Sequence, residues 1–346
     1  MTLLVRDEAD IVDAQIAFHL HAGVDFVIAT DNGSQDGTTA ILERYERAGF
    51  LHLLREEGDD MRQGEWVTRM ARLAATDFGA DWVLNADADE FWWPRGGSLK
   101  EVLARVPERY GVIRGCWRHF LPRPLDGAFF AERMTVRLGK PVHPGDKTTI
   151  FHAHQKVVHR ADPRVVIEAG NHNAVGAALE PIRAWHPIEV LHFSFRSVPQ
   201  LERKGRGGWL RTAGYEPTLH QFLLDEAFRS GRLEHFYASF AVTDEALELG
   251  VRDGSLAIDT RLRDALRTLR AEDRAFRLRD PGADSLLLFP RPDVRDDAAY
   301  AGEASVLVEI DGIVRAERRV DAFEERLTAL EQGPLSRLHR LGLPSR

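Results

Sequence analysis

The sequence predicts an α/β protein in which a mostly parallel sheet carries helices on both faces and a mainly helical region follows. Three observations predict it. Short β-prone apolar runs alternate with runs of helical spacing in the first 120 or so residues. The first two helical runs are each closed by a glycine, Gly23 and Gly49. The helices between successive strands are long enough for crossovers, which parallel neighbours require.

Leu3-Leu4-Val5 is the first strand. Val12, Ile16 and Leu20 then recur at i, i+4 and i+8, the buried face of a helix that Gly23 ends as a left-handed cap. Phe26-Val27-Ile28-Ala29 is the second strand, bounded by Gly23 and by Asp31-Asn32-Gly33. Ile41, Tyr45 and Ala48 repeat the helical spacing. Leu51-His52-Leu53-Leu54 is the third strand, Trp66, Met70, Leu73 and Ala74 mark the next helix, and Trp82-Val83-Leu84-Asn85-Ala86 is the fourth strand. Ser98 and Glu101 have the spacing of a capping box that opens a further helix, and Val112-Ile113 is one more strand before Cys116-Trp117. From Leu121 to Phe195 the text turns to proline, histidine and short strand-like runs, among them Lys156-Val157-Val158-His159 and Val165-Val166-Ile167. This segment reads as a meander completing the same domain. The chain thus divides into residues 1–198, with halves 1–120 and 121–198, and a mainly helical region 199–346. In that last region Leu262, Leu266 and Leu269 share a helix face, and Leu327, Leu330, Leu335 and Leu338 punctuate an Arg-rich stretch.

With 346 residues, 44% hydrophobic and 29% charged, the chain has enough apolar surface for a sizeable core, and overall disorder is excluded. Its 46 basic side chains against 54 acidic ones give a net charge of −8, so no positive field exists to hold a phosphate backbone and nucleic acid is excluded as the main partner. Cys116 is the only cysteine, which excludes an intramolecular disulfide and every Cys-based zinc cluster and fits a reducing compartment. No stretch approaches the roughly 18 uncharged apolar residues of a membrane span. The first residues, Met1 to Glu8, lack the basic and apolar regions of a signal peptide. Cytoplasmic residence is therefore expected, with peripheral contact at the inner face of the membrane left open. The C-terminal helices could pack on the first domain, dimerise, or face anionic lipids; the interleaved acids Glu317, Asp321, Glu324 and Glu325 favour an ordinary solvated helix.

In open α/β sheets ligands bind beyond the carboxyl ends of the strands. The first strand runs into Arg6-Asp7-Glu8, the second into Asp31-Asn32-Gly33-Ser34-Gln35-Asp36-Gly37-Thr38, and the fourth into Asp87-Ala88-Asp89-Glu90. Three acidic clusters thus meet at one edge, where they repel unless a cation and hydrogen-bond donors fill the gap. In an extended segment Asp87 and Asp89 would share one side, with Ala88 turned away. Two hard oxygen ligands suit Mg²⁺ or Mn²⁺, ions that keep water and substrate phosphates as their remaining ligands. The plainer reading is that these acids cap or solvate a loop. Asp31-Asn32-Gly33-Ser34 likewise reads by itself as a turn with a helix N-cap from Ser34 or Asp36; its functional reading gives Asp31 a hydrogen bond from a nucleobase. The glycine patterns of NTPase and dinucleotide sites are absent.

Taken together these residues resemble the family 2 glycosyltransferases. Asp31 through Thr38 is similar to that family's D/N-G-S-x-D-G-T signature, and Asp87-Ala88-Asp89-Glu90-Phe91 to its metal-binding D-x-D. The opening Leu4-Val5-Arg6-Asp7-Glu8-Ala9-Asp10-Ile11 and the segment Phe18 to Asp25 resemble one branch of the family, in which Asn is common at the position of Asp7. So do Lys156-Val157-Val158, Gly170-Asn171-His172, Leu191 to Ser197 and Lys204-Gly205-Arg206-Gly207, so the resemblance covers about residues 1 to 210. It implies a GT-A fold, a UDP-, GDP- or dTDP-sugar as donor, Mn²⁺ or Mg²⁺ at the diphosphate, and a glycan or lipid-linked acceptor in cell-envelope or polysaccharide synthesis. The first half of the domain would then bind the nucleotide and the second the metal and acceptor.

Carried over residue by residue, Asp31 is a base or ribose contact, with Arg6, Glu8, Asn32, Ser34 and Asp36 around the donor. Asp87 touches the ribose or the metal, Asp89 ligates the metal, His192 completes its binding, and Lys156 and Arg196 contact the diphosphate. The family is generally inverting, so a general base must take the acceptor's proton; His172, Glu132 and Glu168 are the candidates. Phe91-Trp92-Trp93 reads either as a wall for sugar or acceptor or as core packing, and Arg123, Arg133 and Arg137 as surface charges. A nucleotidyltransferase would need a Gly-rich loop after the first strand, which Arg6 to Asp10 lacks, and an Asp-x-Asp phosphatase would need Thr or Val where Phe91 stands. A non-catalytic sugar- or nucleotide-binding scaffold is the remaining alternative.

Overall fold

The computed structural model describes residues 1–57, 62–124, 128–142, 149–176, 179–183, 185–206 and 219–271, with Phe289, Gly312, Ala316, Arg319, Val320 and 322–329. Leu330, Leu335, Leu338, Glu317, Asp321 and Gly207 lie outside the described residues. The first half alternates as expected: β1 (Thr2–Val5), α1 (Val12–Ala22), β2 (Val27–Asp31), α2 (Thr38–Arg47), β3 (Leu51–Arg55), α3 (Gln63–Thr76) and β4 (Trp82–Asp87). Gly23 caps α1 in the left-handed conformation at φ 112°. These four strands lie in the order β3-β2-β1-β4, every pair parallel. Consecutive residues of β1 show both faces covered: Leu3 and Val5 pack with α1 residues such as Phe18, while Leu4 packs with Trp66 and Met70 of α3. The alternation of a pleated strand sends neighbours to opposite sides, so the near-continuous apolar run needs a helix on each.

The chain continues through β5 (Glu90–Pro94), α4 (Leu99–Ala104), β6 (Val112–Leu121), α5 (Phe130–Arg133), β7 (Val136–Leu138), β8 (Gln155–Arg160), β9 (Val166–Ile167), β10 (Ala174–Val175) and β11 (Ile188–His192). Ser98 and Glu101 form the expected capping box on α4. The main sheet runs β12-β7-β6-β8-β4-β1-β2-β3, with β11 beside β6 and β5 beside β11, where β12 is Leu256–Ile258. Among its ten strands only β5, β7 and β8 run against the others. The result is the mixed α/β, GT-A-like layout that the resemblance implies: a parallel half, then a mixed half at whose junction β4 delivers Asp87.

After β11 come α6 (Val198–Arg206), α7 (Leu219–Arg229), α8 (Leu233–Ala238), α9 (Asp244–Asp253) and α10 (Arg261–Ala271). Leu262, Leu266 and Leu269 of α10 enter the same core as α1, and α6 to α8 build a further cluster with Leu121 and Phe195. Phe91, Trp92 and Trp93 are core, among Phe18, Phe130 and Phe193. The three middle arginines are not simply solvated: Arg123 pairs with Asp244, Arg133 donates to the Arg196 carbonyl, and Arg137 pairs with Asp259. No described helix is long and apolar enough to cross a membrane.

Candidate functional site

Because β1 and β2 are neighbours, the loops leaving their carboxyl ends meet and are stitched together. Asp7 N donates to Ser34 Oγ at 3.0 Å, Gln35 N to Asp7 Oδ1 at 2.7 Å, and Ala9 N to Asp36 Oδ2 at 3.0 Å. Asp7 takes a left-handed φ of 55° to do so, a conformation short polar side chains tolerate better than most. Asp31 is buried and accepts from Ser34 N at 3.0 Å and from the Thr39 hydroxyl. Asp36, rather than Ser34, serves the start of α2, accepting from Thr38 N at 3.1 Å. Arg6 reaches Asn32 Oδ1 at 3.4 Å. The structure therefore gathers Arg6, Asp31, Asn32, Ser34 and Asp36 into one wall, with the Asp31 and Asp36 carboxylates engaged in holding it.

Ala88 and Asp89 form a turn between β4 and β5, not the extended segment expected, and this separates the two carboxylates. Asp87 Oδ2 takes Lys156 Nζ at 2.5 Å, while its Oδ1 takes Asn171 Nδ2 at 3.0 Å and Gln63 Nε2 at 3.3 Å. Asp89 Oδ2 instead meets Lys204 Nζ at 3.0 Å and Arg196 at 3.9 Å, while its Oδ1 faces His192 Nε2 at 3.7 Å. Beneath them Glu90 accepts from Trp117 Nε1 at 2.8 Å and pairs with Lys156 at 2.9 Å. Arg196, fully buried, also binds Glu8 and, at 2.8 Å, Asp10; Lys204 reaches Glu8 at 3.7 Å. The repulsion anticipated from sequence is thus relieved by the chain's own cations. Burial opposes charge on Asp89, yet the permanent cations Lys204 and Arg196 beside it outweigh burial and hold the carboxyl well below the usual range. Burial likewise opposes the Lys156 charge, and Asp87 and Glu90 raise its pKa nonetheless.

Histidines line the other side. The Trp117 indole stacks on His192 with centroids 4.3 Å apart. His119 Nε2 lies 2.7 Å from the His152 carbonyl, which only a ring N–H can satisfy. Burial holds His119 down to about 4, so near pH 7 the ring is neutral and its Nδ1 is an acceptor. His192 Nδ1, 3.3 Å away, must then carry the proton between them. His192 is itself kept neutral, its pKa well below 6.5 chiefly through burial, so its Nε2 is a bare lone pair facing Asp89. By the same logic His172 Nδ1 donates to the Gln155 carbonyl at 2.8 Å, leaving its Nε2 unprotonated. Burial, then His154 and Lys156, keep His172 well below 6.5. The His172 ring stacks on His154 at 3.5 Å and contacts Trp117 edge-on at 5.6 Å.

Of the three candidate bases, only His172 joins this group. Glu132 sits on α5 in a surface pair with Arg267 of α10. Glu168 precedes a short 3-10 turn, Ala169–Asn171, and lies 3.5 Å from the Asn173 amide. Lys204, Glu90, Asp10, Trp117, His119, Gln63 and Asn171 are site residues that sequence reasoning gave no role. Lys204 had a signal: it lies three residues after the buried Leu201 on α6, a lysine on the inward face of an amphipathic helix. Asn171 stood in the Gly170-Asn171-His172 motif of the resemblance, whereas Gln63 had no signal, because it meets Asp87 from a distant part of the chain.

No family model and no curated protein matches the chain. Among solved structures it is similar to residues 1–349 of S. aureus TarS, at 16% identity over 81% of this chain and 88% of that one, with a TM-score of 0.32. The same protein in complex with UDP aligns at 13% identity over 91% and 90% of the two chains, TM-score 0.32. In complex with UDP-GlcNAc it aligns at 15% over 81% and 88%, again with a TM-score of 0.32.

Proposed function

We propose that this protein is a glycosyltransferase that moves a sugar from a nucleotide-sugar donor to an acceptor hydroxyl, using Mn²⁺ or Mg²⁺, in cell-envelope or polysaccharide synthesis. One observation carries the reading: Asp89 Oδ1 and His192 Nε2 face each other at 3.7 Å, and both are acceptors without a proton. Two facing lone pairs attract a cation between them. With metal–ligand bonds of about 2.1 Å the gap fits one ion after a small adjustment. His192 also donates its other ring nitrogen to His119, the arrangement that orients a ligating imidazole. Among the described residues no third Asp, Glu, Cys or His converges there, so water and the donor's phosphates would complete the coordination.

A bound divalent ion would supply Lewis-acid stabilisation of the nucleoside diphosphate leaving group. The chain's residues do the remainder. Lys204 and Arg196, beside Asp89, add positive charge where the diphosphate forms. Lys156, Asn171 and Gln63 fix Asp87, which has an exposed edge for the ribose. The joined loops after β1 and β2 form the nucleoside wall. His172 Nε2, unprotonated near neutral pH, takes the acceptor's proton in an inverting transfer.

The test is a melting-temperature series with Mn²⁺, UDP, GDP and dTDP, alone and in pairs, on the wild type and on Asp89→Asn and His192→Ala, alongside release of nucleoside diphosphate from each sugar donor. One nucleotide with Mn²⁺ should stabilise by about 2.7 kcal/mol at a hundredfold excess over its Kd. That gain should vanish in both variants, with turnover down at least about 100-fold. A shift that persists in both variants, or no response to any nucleotide, would sink the reading. A metal-dependent shift without turnover of any donor would identify a binding scaffold.

A further inference from the structure

Downstream of α10, Arg319, Val320 and residues 322–329 are helical, and three large apolar side chains there face solvent: Val320 is 56% exposed, Phe323 64% and Leu327 46%. Their spacing of three and then four is that of a coiled-coil seam, narrower than the stripe a helix lays on a globular core. The sequence carries the same spacing on to Ile313 and Ala316 in one direction and Leu330 in the other. The a positions then read Ile313, Val320 and Leu327, and the d positions Ala316, Phe323 and Leu330, until Pro334 ends the pattern. The flanking charges follow the same register: Arg319 and Arg326 at g, Glu317, Glu324 and Glu331 at e.

We propose that the helix carrying Val320, Phe323 and Leu327 pairs with the same helix of a second copy of this chain as a parallel two-stranded coiled coil. The charges choose both partner and direction. In a parallel pair each g side chain meets the e side chain about five positions further along its partner, so Arg319 meets Glu324 and Arg326 meets Glu331 from both sides of the seam. An antiparallel pair would set arginine opposite arginine and glutamate opposite glutamate. The β-branched Ile313 and Val320 at a favour two strands over three. Among the described residues nothing covers the seam: Val320, Phe323 and Leu327 stand exposed. A lipid surface is disfavoured because residues 312–331 carry four arginines against five acids, without the basic face that anionic headgroups attract.

The experiment is the molar mass of the full chain by light scattering across a concentration series, repeated on three sets of variants. The wild type should approach twice the 39.0 kDa of one chain as concentration rises. Phe323→Asp with Leu327→Asp should yield monomer with the melting temperature of the body unchanged. Arg319→Glu with Arg326→Glu should weaken pairing at least about tenfold, and adding Glu324→Arg with Glu331→Arg should restore it. Phe323→Cys should give a covalent dimer on mild oxidation, because like d positions adjoin only in the parallel pair and the native Cys116 is buried. A monomer at every concentration, a trimer, a dimer indifferent to the aspartates, or no covalent dimer from Phe323→Cys would overturn the proposal.

Discussion

His172 has room for its Nε2 only because residue 170 lacks a side chain. A Cβ built on Gly170 would lie 2.4 Å from that nitrogen, and the backbone there has a φ of 79°, where an L side chain is already strained. Gly170→Ala should therefore push the ring off its seat. The expected result is a 10²–10⁴-fold loss of transfer, the range a general base contributes, with nucleotide-dependent stabilisation retained. Transfer within a few-fold of wild type would remove His172 from the mechanism. At this scale the acids Asp87 and Asp89, with His172 and His192, were legible in the sequence as candidates through motif and order. Which partners they would meet was not: Lys204 stands 115 residues from Asp89, and Asn171 stands 84 from Asp87.

Strand register does for elements what tautomers do for residues. Pairing of β11 with β5 sets His192 opposite Glu90, and Phe193 N donates to the Asp89 carbonyl at 2.9 Å, so the histidine that faces Asp89 is placed by the ladder itself. A one-residue slip would carry it to the other face of the sheet. On β11, three residues before His192, Glu189 takes Arg95 at 2.8 Å and Arg118 at 2.7 Å on one oxygen and Arg261 at 2.6 Å on the other, joining the residue that follows β5 to β6 and α10. Burial alone would raise the Glu189 pKa, but Arg118 and Arg261 hold it well below the carboxylate range. Glu189→Gln leaves these arginines short of their counter-ion. Breaking such a buried arrangement costs about 3–5 kcal/mol, which corresponds to a fall in Tm of roughly 5–15 °C. A fall of less than about 2 °C would show that the arginines find other partners at no cost.

For the whole molecule, buried neutral histidines set the acid limit. His119, His154 and His159 are held down to about 4 and His19 to about 3, in each case first by burial, and His172 and His192 also lie well below 6.5. The unfolded chain binds protons at these rings below about pH 6.5 while the folded chain does not. Stability from them is complete above that pH and is lost as pH falls toward 4, by about 3 kcal/mol for a single ring shifted by some two units. Glu90, pushed up to about 8 by burial, and Glu8, raised likewise first by burial, work in the opposite direction but are two groups against these six. Calorimetry should find Tm nearly level above pH 7 and falling steeply between pH 6.5 and 4. A flat profile through that window would show that the rings are protonated in the folded state.

By itself the sequence determined the alternation of strands and helices through residue 87, the capping box at Ser98, the left-handed cap at Gly23 and the edge where the acids gather, because each depends on spacing within a few residues. Only the tertiary structure decided that Asp87 and Asp89 part company at a turn, that Asp31 and Asp36 hold their own loop, and that Arg196 and Lys204 close on Glu8 and Asp89. Local conformation is fixed by sterics and hydrogen bonds along the backbone. Pairing of charges across 115 to 188 residues depends on sheet order and register, which leave no mark in any short window of the chain.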